Sequence, residues 1–378
     1  MRALDVGASL SVVTLAAVWL LYPLLMGVLA SLARRRVRPA RPHAQPPVGS
    51  VSMVVATRDE PAAVRARVED CLRATDAPAR LEVIVAVDSK SGWEPIDSSF
   101  STSWPVRYVW GDEPGGKAAT LNAGVRAASG DVIVFTDTGQ RFHPAAVGAL
   151  AEALRQPGMG AVSGNLELPL SSDATPLAAL YWRWERWLRK CEAEVSSSVG
   201  VTGAIYAIRK SLWKPLPSGL LLDDLYTPMQ IALRGYRVGF VEHARAWETR
   251  QPGPSEEYRR KTRTLTGVIQ ICAWLPALLN PLRNRLWTQF VCHKLLRFLT
   301  PYCALVIGAW CLVTAWPMLT GHWGTWVGLG AALLGALALG AERAKQLRNM
   351  VAQACLLQAA VMVATFNGLR GRWDVWQK

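Results

Sequence analysis

Three aspartates each follow a short apolar run rich in β-branched residues: Asp59 after Val51–Ala56, Asp88 after Leu81–Val87, and Asp137 after Val132–Thr136. Carboxylates serve two kinds of chemistry well. Their oxygens hold a hard divalent cation, and a carboxylate can take a proton from a hydroxyl as a general base. One loop aspartate alone usually closes a turn or caps a helix. Its recurrence after three runs of the same type points instead to a site.

The elements that must position these side chains follow from the spacing. Val51–Ala56 is followed by the turn residues Thr57 to Pro61, and residues 62–75 carry helical spacing. Leu81–Val87 and Val106–Trp110 read as the second and third strands, Lys117–Ala128 as a helix, and Val132–Thr136 as the fourth strand. Continuous apolar strands alternating with helices predict a mostly parallel, buried sheet covered on both faces. In such sheets a ligand sits beyond the carboxyl ends of the strands, where Asp59, Asp88 and Asp137 all fall. No Gly-x-Gly-x-x-Gly follows the first strand, which argues against a dinucleotide dehydrogenase.

Of the 378 residues, 51% are hydrophobic, and they are concentrated near residues 9–31 and after about residue 296. Ser9 to Leu32 is long enough to cross a bilayer core of about 30 Å. One arginine precedes it and Arg34, Arg35, Arg36, Arg38 and Arg41 follow, the opposite of a cleaved signal peptide. The segment therefore reads as a retained helix whose C-terminal end is cytosolic. Residues 262–290 mix apolar positions with Arg, Asn, Gln, Pro276 and Pro281, which suits a path along the membrane surface. Leu299–Leu319 and Trp323–Leu339 read as crossings, with Met350–Phe366 a shorter candidate.

The net charge of +14 would suit a polyanion, but the basic residues lie beside the apolar segments, as at Arg283, Arg285, Lys294 and Arg297. That placement is explained by lipid headgroups rather than by nucleic acid. Seventeen tryptophans, many near the same segments, fit an interfacial belt. Seven cysteines without a Cys-x-x-Cys pair support neither a disulfide framework nor a zinc site. Trp182, Trp184 and Trp187 share a helical stretch and are read as packing or as a membrane-facing edge, although aromatic rings also stack on sugars.

The run Gly115-Gly116-Lys117-Ala118-Ala119-Thr120-Leu121-Asn122-Ala123-Gly124, followed by Gly130-Asp131-Val132-Ile133-Val134-Phe135-Thr136-Asp137, resembles the donor-binding core of family 2 glycosyltransferases. These are inverting enzymes of the GT-A fold and include the hyaluronan, chitin and cellulose synthases. The resemblance covers about residues 50–270. It implies that Asp59 and Asp88 contact the nucleoside, that Lys117 approaches the donor phosphates, and that Asp137 is the first carboxylate of an Asp-x-Asp metal motif. The second position is Gly139. A site with one protein carboxylate remains feasible, because magnesium commonly keeps waters and substrate phosphates as ligands.

Further along, Thr202-Gly203-Ala204-Ile205-Tyr206 resembles the family's acceptor-side segment, which implies that Thr202 and Gly203 face the acceptor. Leu222-Asp223-Asp224 matches the acidic pair that holds the catalytic base. By position Asp224 is the base and Asp223 tunes it, since adjacent carboxylates raise one another's pKa. A helix N-cap followed by an acidic first turn fits the same two residues. Arg260-Lys261-Thr262-Arg263-Thr264 aligns with the family's Gln-x-x-Arg-Trp element. It implies that Arg263, with Arg260 beside it, grips the diphosphate leaving group, a task suited to a forked guanidinium. Thr264 stands where processive synthases carry a tryptophan at the acceptor site.

The expectation is thus an α/β protein: a GT-A, Rossmann-like nucleotide-sugar-binding domain plus transmembrane α-helices. Residues 1–33 form an N-terminal transmembrane helix, 34–49 a basic linker, and 50–250 the cytosolic domain. Residues 251–295 form interfacial helices, 296–368 the C-terminal transmembrane helices, and 369–378 a tail. The implied activity moves a sugar from a nucleotide diphosphate sugar, UDP-linked, to a lipid-linked or polysaccharide acceptor with inversion, using Mg²⁺ or Mn²⁺. A processive synthase that exports its polymer and a non-catalytic membrane scaffold are the alternatives. The implied location is the inner (plasma) membrane, beside partner proteins of a polysaccharide assembly system.

Overall fold

Runs such as Val51-Ser-Met-Val-Val and Leu81-Glu-Val-Ile-Val favour extended backbone, because their branched side chains pack on a pleated surface. The computed structural model describes residues 2–36, 49–75, 80–92, 105–167, 176–250, 253–320, 328 and 348–374. The chain begins with α1 (Arg2–Ala16), a π turn at Ala17–Leu21, and α2 (Tyr22–Arg36). Next come β1 (Ser50–Thr57), α3 (Pro61–Leu72), β2 (Arg80–Val87), β3 (Val106–Trp110), α4 (Lys117–Ala127) and β4 (Val132–Asp137). These match the elements expected from the sequence to within two or three residues at each end. The basic linker falls largely on residues 37–48, outside the described residues.

The second half of the domain holds β5 (Gln140–Phe142), α5 (Ala146–Leu154), β6 (Met159–Glu167), α6 (Pro176–Val195), β7 (Tyr206–Arg209), α7 (Asp223–Leu233) and β8 (Arg237–Glu248). All eight strands form one sheet in the order β3-β2-β1-β4-β7-β6-β8-β5. The first four pair in parallel, but β7 is antiparallel to β4 and β6, and β5 is antiparallel to β8. β6 and β8 pair in parallel, so the sheet is mixed, with its antiparallel pairings confined to the second half. β5 turns straight back after β4, and β7 enters antiparallel between β4 and β6 after a connection that carries α6. Apolar clusters cover both faces: Val54, Ile84, Leu121 and Ile133 lie on one, and Val51, Met53, Val85 and Leu150 on the other.

After the sheet come α8 (Pro254–Trp274), α9 (Trp287–Phe290) and α10 (Thr300–Thr320). Among the described residues, three helices are long and apolar enough to cross a membrane: Arg2–Arg34, Trp287–Trp316 and Arg348–Leu369. The candidate crossing at Trp323–Leu339 lies, apart from residue 328, outside the described residues. Helices α1 and α10 run antiparallel, since Trp310 Nε1 donates to Asp5 at 2.8 Å and Trp19 Nε1 donates to Thr300 at 3.1 Å. Apolar side chains are exposed on α1 (Val6, Leu10, Val13), on α2 (Leu24, Leu25) and on α10 (Leu305, Leu312).

The first apolar helix also docks on the sheet domain. Tyr22, Met26 and Ala30 pack with Leu188 and Cys191 of α6. Trp184 stacks on Trp19 at 5.4 Å, with the Arg297 guanidinium over both rings. A Cβ on Gly27 would meet the Trp187 ring at 2.8 Å. Trp184 and Trp187 are thus packing residues. All seven cysteines are free thiols.

Candidate functional site

Asp88 directly follows strand β2, and its carboxylate is spoken for. It accepts the Lys90 N–H at 3.0 Å, the Gly116 N–H at 3.1 and 3.0 Å, and Arg58 Nε at 2.7 Å. Burial would raise its pKa, but the Lys90 N–H, Arg58 and the Gly116 N–H outweigh burial and hold it below the usual carboxylate range. Asp88 thereby ties the loop before α4 to the sheet edge. Gly115 is required there: its φ is +80°, and a Cβ would lie 2.6 Å from Ser89 Oγ and 2.8 Å from Asp88 Oδ1.

The tied loop sets Lys117 at the first position of α4, with its ammonium turned toward two other strand and helix ends. Nζ lies 3.1 Å from Asp137 Oδ1 and 3.6 Å from Asp223 Oδ1. Burial would lower its pKa, but Asp137 first and Asp223 second raise it, so the side chain is a permanent cation. Asp223 and Asp224 open α7 as an acidic first turn, a placement that the helix dipole favours. Leu222 holds the cap position, so neither aspartate is the N-cap.

Asp223 is buried and receives the Tyr206 hydroxyl at 3.5 Å. Asp224 is half-buried, and its carboxyl pKa is raised, first by desolvation and then by the Asp223 charge. Lys117, Arg189 and Arg263 pull in the opposite direction. Tyr206 feels Asp223, Asp224 and Asp137 together with its burial, and all four raise its pKa. The three aspartates, Lys117 and Tyr206 therefore form one electrostatic unit.

The side of the cleft around Asp137 contains features that sequence patterns did not reveal. Asp59 is held by Arg250 Nη2 at 2.7 Å. Gly139 lies beneath the end of β8: Thr249 donates to its carbonyl through N at 2.9 Å and through Oγ1 at 2.7 Å. A Cβ at Gly139 would sit 3.0 Å from Glu248 Oε1. Gln140 Nε2 donates to Glu248 Oε2 at 2.8 Å, while Gln140 Oε1 is buried without a hydrogen-bond partner. Among the described residues no three His, Cys, Asp or Glu side chains converge closely enough to hold a metal unaided. The donors present are nonetheless hard oxygens, and an orphaned acceptor beside a carboxylate fits a divalent cation that also takes ligands from its substrate.

The remaining residues expected at the site lie along its other wall. Thr202 N donates to Ser163 Oγ at 3.0 Å, and Thr202 Oγ1 accepts from Arg189 Nη1 at 3.0 Å. Gly203 faces Asp224 directly, since a Cβ there would lie 3.1 Å from Asp224 Oδ2. Arg263 on α8 acts electrostatically on both Lys117 and Asp224. The charge of Arg260 lowers the pKa of Lys261, whose principal cause of depression is burial. The Lys261 ammonium sits over the rings of Tyr181 and Trp182, at 5.8 and 5.6 Å.

Residues 52–202 match the sequence profile of Glycosyl transferase family 2. The chain is a glycosyltransferase. Among solved structures it is similar to a mannosyltransferase from Pyrobaculum calidifontis in complex with GDP-mannose and Mn²⁺. That match has a TM-score of 0.67 at 20% identity and covers 96% of this chain and 99% of the other. A second similar structure is glucosyl-3-phosphoglycerate synthase from Mycobacterium tuberculosis, with a TM-score of 0.40 at 18% identity, covering 65% and 82% of the two chains. No curated protein sequence matches significantly. The fold of this glycosyltransferase is α/β and GT-A-like, with a mixed sheet.

Four side chains of the glycosyltransferase's cleft were not anticipated: Arg189, Tyr206, Glu248 and Arg250. Tyr206 stood inside a recognised segment, and a buried hydroxyl near two carboxylates was the available signal. Glu248 closes β8 and Arg250 follows it by two residues, and a strand end is where a ligand-facing residue belongs. Their partner strand is Gln140–Phe142, more than a hundred residues earlier, so no local pattern joins them.

Proposed function

We propose that this glycosyltransferase moves a hexose, with inversion, from a nucleotide diphosphate sugar to a lipid-linked or polysaccharide acceptor at a membrane surface. The observation that carries the reading is the pairing in one cleft of Asp224, a carboxyl with a raised pKa, and Lys117, a permanent cation beside Asp137. A raised carboxylate pKa is what a general base needs to hold a hydroxyl proton briefly at neutral pH. A fixed cation nearby stabilises the charge that develops on a departing diphosphate.

In this mechanism Asp224 takes the proton of the acceptor hydroxyl as its oxygen attacks the anomeric carbon from the face opposite the diphosphate. Asp223, held by Tyr206, keeps Asp224 basic through its negative charge. Lys117 and Arg263, with Arg260 beside it, receive the leaving diphosphate. Asp59 and the loop tied by Asp88 hold the nucleoside, and Thr202 and Gly203 border the acceptor. A divalent cation, Mg²⁺ or Mn²⁺, would be held by Asp137 and the substrate phosphates and would supply further neutralisation of the diphosphate. The mannosyltransferase above carries GDP-mannose with Mn²⁺, which supports a nucleotide sugar and a divalent ion in a fold of this shape.

The three apolar helices and their exposed faces support a bilayer location, with the sheet domain on the side of the Arg34–Arg36 cluster. The test is a screen of UDP- and GDP-linked sugars, with release of nucleoside diphosphate measured from membranes holding the full chain. A donor is expected to emerge, and Asp224→Asn is expected to lower its turnover about 10²- to 10⁴-fold while nucleotide affinity stays within about twofold. Unimpaired turnover in that variant would remove Asp224 from the chemistry. No release from any donor would favour the scaffold reading.

A further inference from the structure

The position expected to hold the second metal carboxylate is Gly139, yet the space its side chain would enter already contains a carboxylate. A Cβ at Gly139 would lie 3.0 Å from Glu248 Oε1. Gly139 is not among the glycines with positive φ, so its backbone does not demand glycine. What excludes a side chain there is occupied space. The placement of Glu248 is set by the backbone: β5 and β8 pair with Gln140 opposite Glu248, and Thr249 is bonded twice to the Gly139 carbonyl.

A second, independent feature lies beside it. Gln140 is 4% exposed, and its Oε1 has no partner, although its Nε2 is bonded to Glu248 Oε2. Buried acceptors without partners are costly and uncommon, and they are commonly explained by an ion or water that completes them. An amide carbonyl and two carboxylates are all hard oxygen donors, the set that Mg²⁺ and Mn²⁺ select.

The geometry points to Glu248 as the carboxylate that replaces the missing second acid of the metal motif, acting with Asp137 and assisted by Gln140 Oε1. The inference rests on the nucleotide-diphosphate reading above, because the substrate phosphates must complete the ligand shell. Arg250 covers the same point. Its Cδ and Nε lie 3.3 Å from the Gly139 Cβ position, and its guanidinium is held by Asp59 at 2.7 Å. Arg250 is thus the resident cation that an incoming metal–diphosphate pair must move aside.

The experiment measures the Kd of UDP and GDP for the full chain in detergent, with and without Mn²⁺, by calorimetry. The ratio of the two values reads the coupling between metal and nucleotide without any turnover. In the unaltered chain Mn²⁺ is expected to tighten binding at least about tenfold, and Glu248→Gln is expected to remove most of that gain, as loss of a metal-site group usually does. The double variant Gly139→Asp with Glu248→Ala is expected to restore it, since truncating Glu248 opens the space that a carboxylate at 139 then enters. Restoration also shows that a chain without the Glu248 carboxylate folds.

Full coupling retained in Glu248→Gln overturns the proposal while leaving the nucleotide reading intact. Tight nucleotide binding that ignores Mn²⁺ overturns it also and hands the role to Arg250. Failure of both nucleotides to bind under any condition overturns both readings together.

Discussion

Gly203→Ala tests the proposed base through a contact that hardly any other residue shares. The backbone at 203 accepts alanine, because its φ is not positive. The three nearest atoms to the new methyl would be Asp224 Oδ2 at 3.1 Å, Asp224 Cβ at 3.3 Å and Asp224 Cγ at 3.5 Å. An ordinary carbon–oxygen contact needs roughly 3.4 Å or more, so the carboxylate must retreat by about 0.3–0.4 Å. A displacement of about 1 Å at a reacting group costs about 10²-fold in rate, so this one costs about fivefold, or about 1 kcal/mol of barrier. The methyl also removes water from the carboxyl, which pushes its pKa further in the direction that desolvation already drives it. The assay is nucleoside diphosphate release across a pH series, together with nucleotide Kd by calorimetry. Turnover is expected to fall about fivefold at its plateau, the acid limb to move to higher pH, and Kd to stay unchanged. A variant that turns over normally while Asp224→Asn is inactive would refute the placement of the base against Gly203. A Kd that weakens in step with turnover would refute the division between nucleotide and acceptor walls.

Because the Asp224 pKa is raised, the ionised form needed for proton transfer appears only at a pH above the ordinary carboxylate range, and turnover should climb through that interval. The same group contributes to stability with the opposite sign: it binds more protons folded than unfolded, so its contribution declines as pH rises between the two pKa values. Asp88→Asn puts an amide against one of the donors that Asp88 now accepts. It should cost about 2–3 kcal/mol, after discounting the exposed Arg58, and lower the thermal midpoint by about 5–8 °C. Glu82, bonded by Ser52, Ser129 and Arg107, has its pKa held down to about 2 against the effect of burial. Its stabilising contribution is complete above the unfolded carboxylate value and should be lost as pH falls from about 4.5 toward about 2, a loss that Glu82→Gln should abolish in acid titrations.

The first half of the domain was legible because each element there declares itself locally. Val51–Ala56, Leu81–Val87 and Val132–Thr136 are unbroken apolar runs, and turn residues bound them. The second half was not. β8 carries Arg237, Glu242, His243 and Arg245 among its apolar positions, because its two faces meet different surroundings, and two register shifts interrupt its pairing with β6. Asp88 shows a different limit. Its strand-end location was readable, but its occupancy by the Gly116 N–H depends on a loop 28 residues later. The adjacent acids of α7 were readable as a pair, whereas the cap at Leu222 was not, since the main chain there is set by packing rather than by a capping side chain.

Charge compensation ties the cleft together. The carboxylates of Asp59, Asp137 and Asp223 each face a cation of the protein itself: Arg250, Lys117 and Lys117 respectively. Asp224 has no ion pair at this range among the described residues, and burial raises its pKa. An arriving diphosphate competes with Asp137 and Asp223 for Lys117, and each contact it takes from Asp223 leaves that carboxylate less neutralised beside Asp224. Donor binding should therefore make Asp224 a stronger base at the moment an acceptor needs one. The corresponding measurement is the acid limb of turnover at saturating and at limiting donor. A limb at higher pH in the donor complex than in the free enzyme is the expected result, and coincident limbs would show that Lys117 does not carry this coupling.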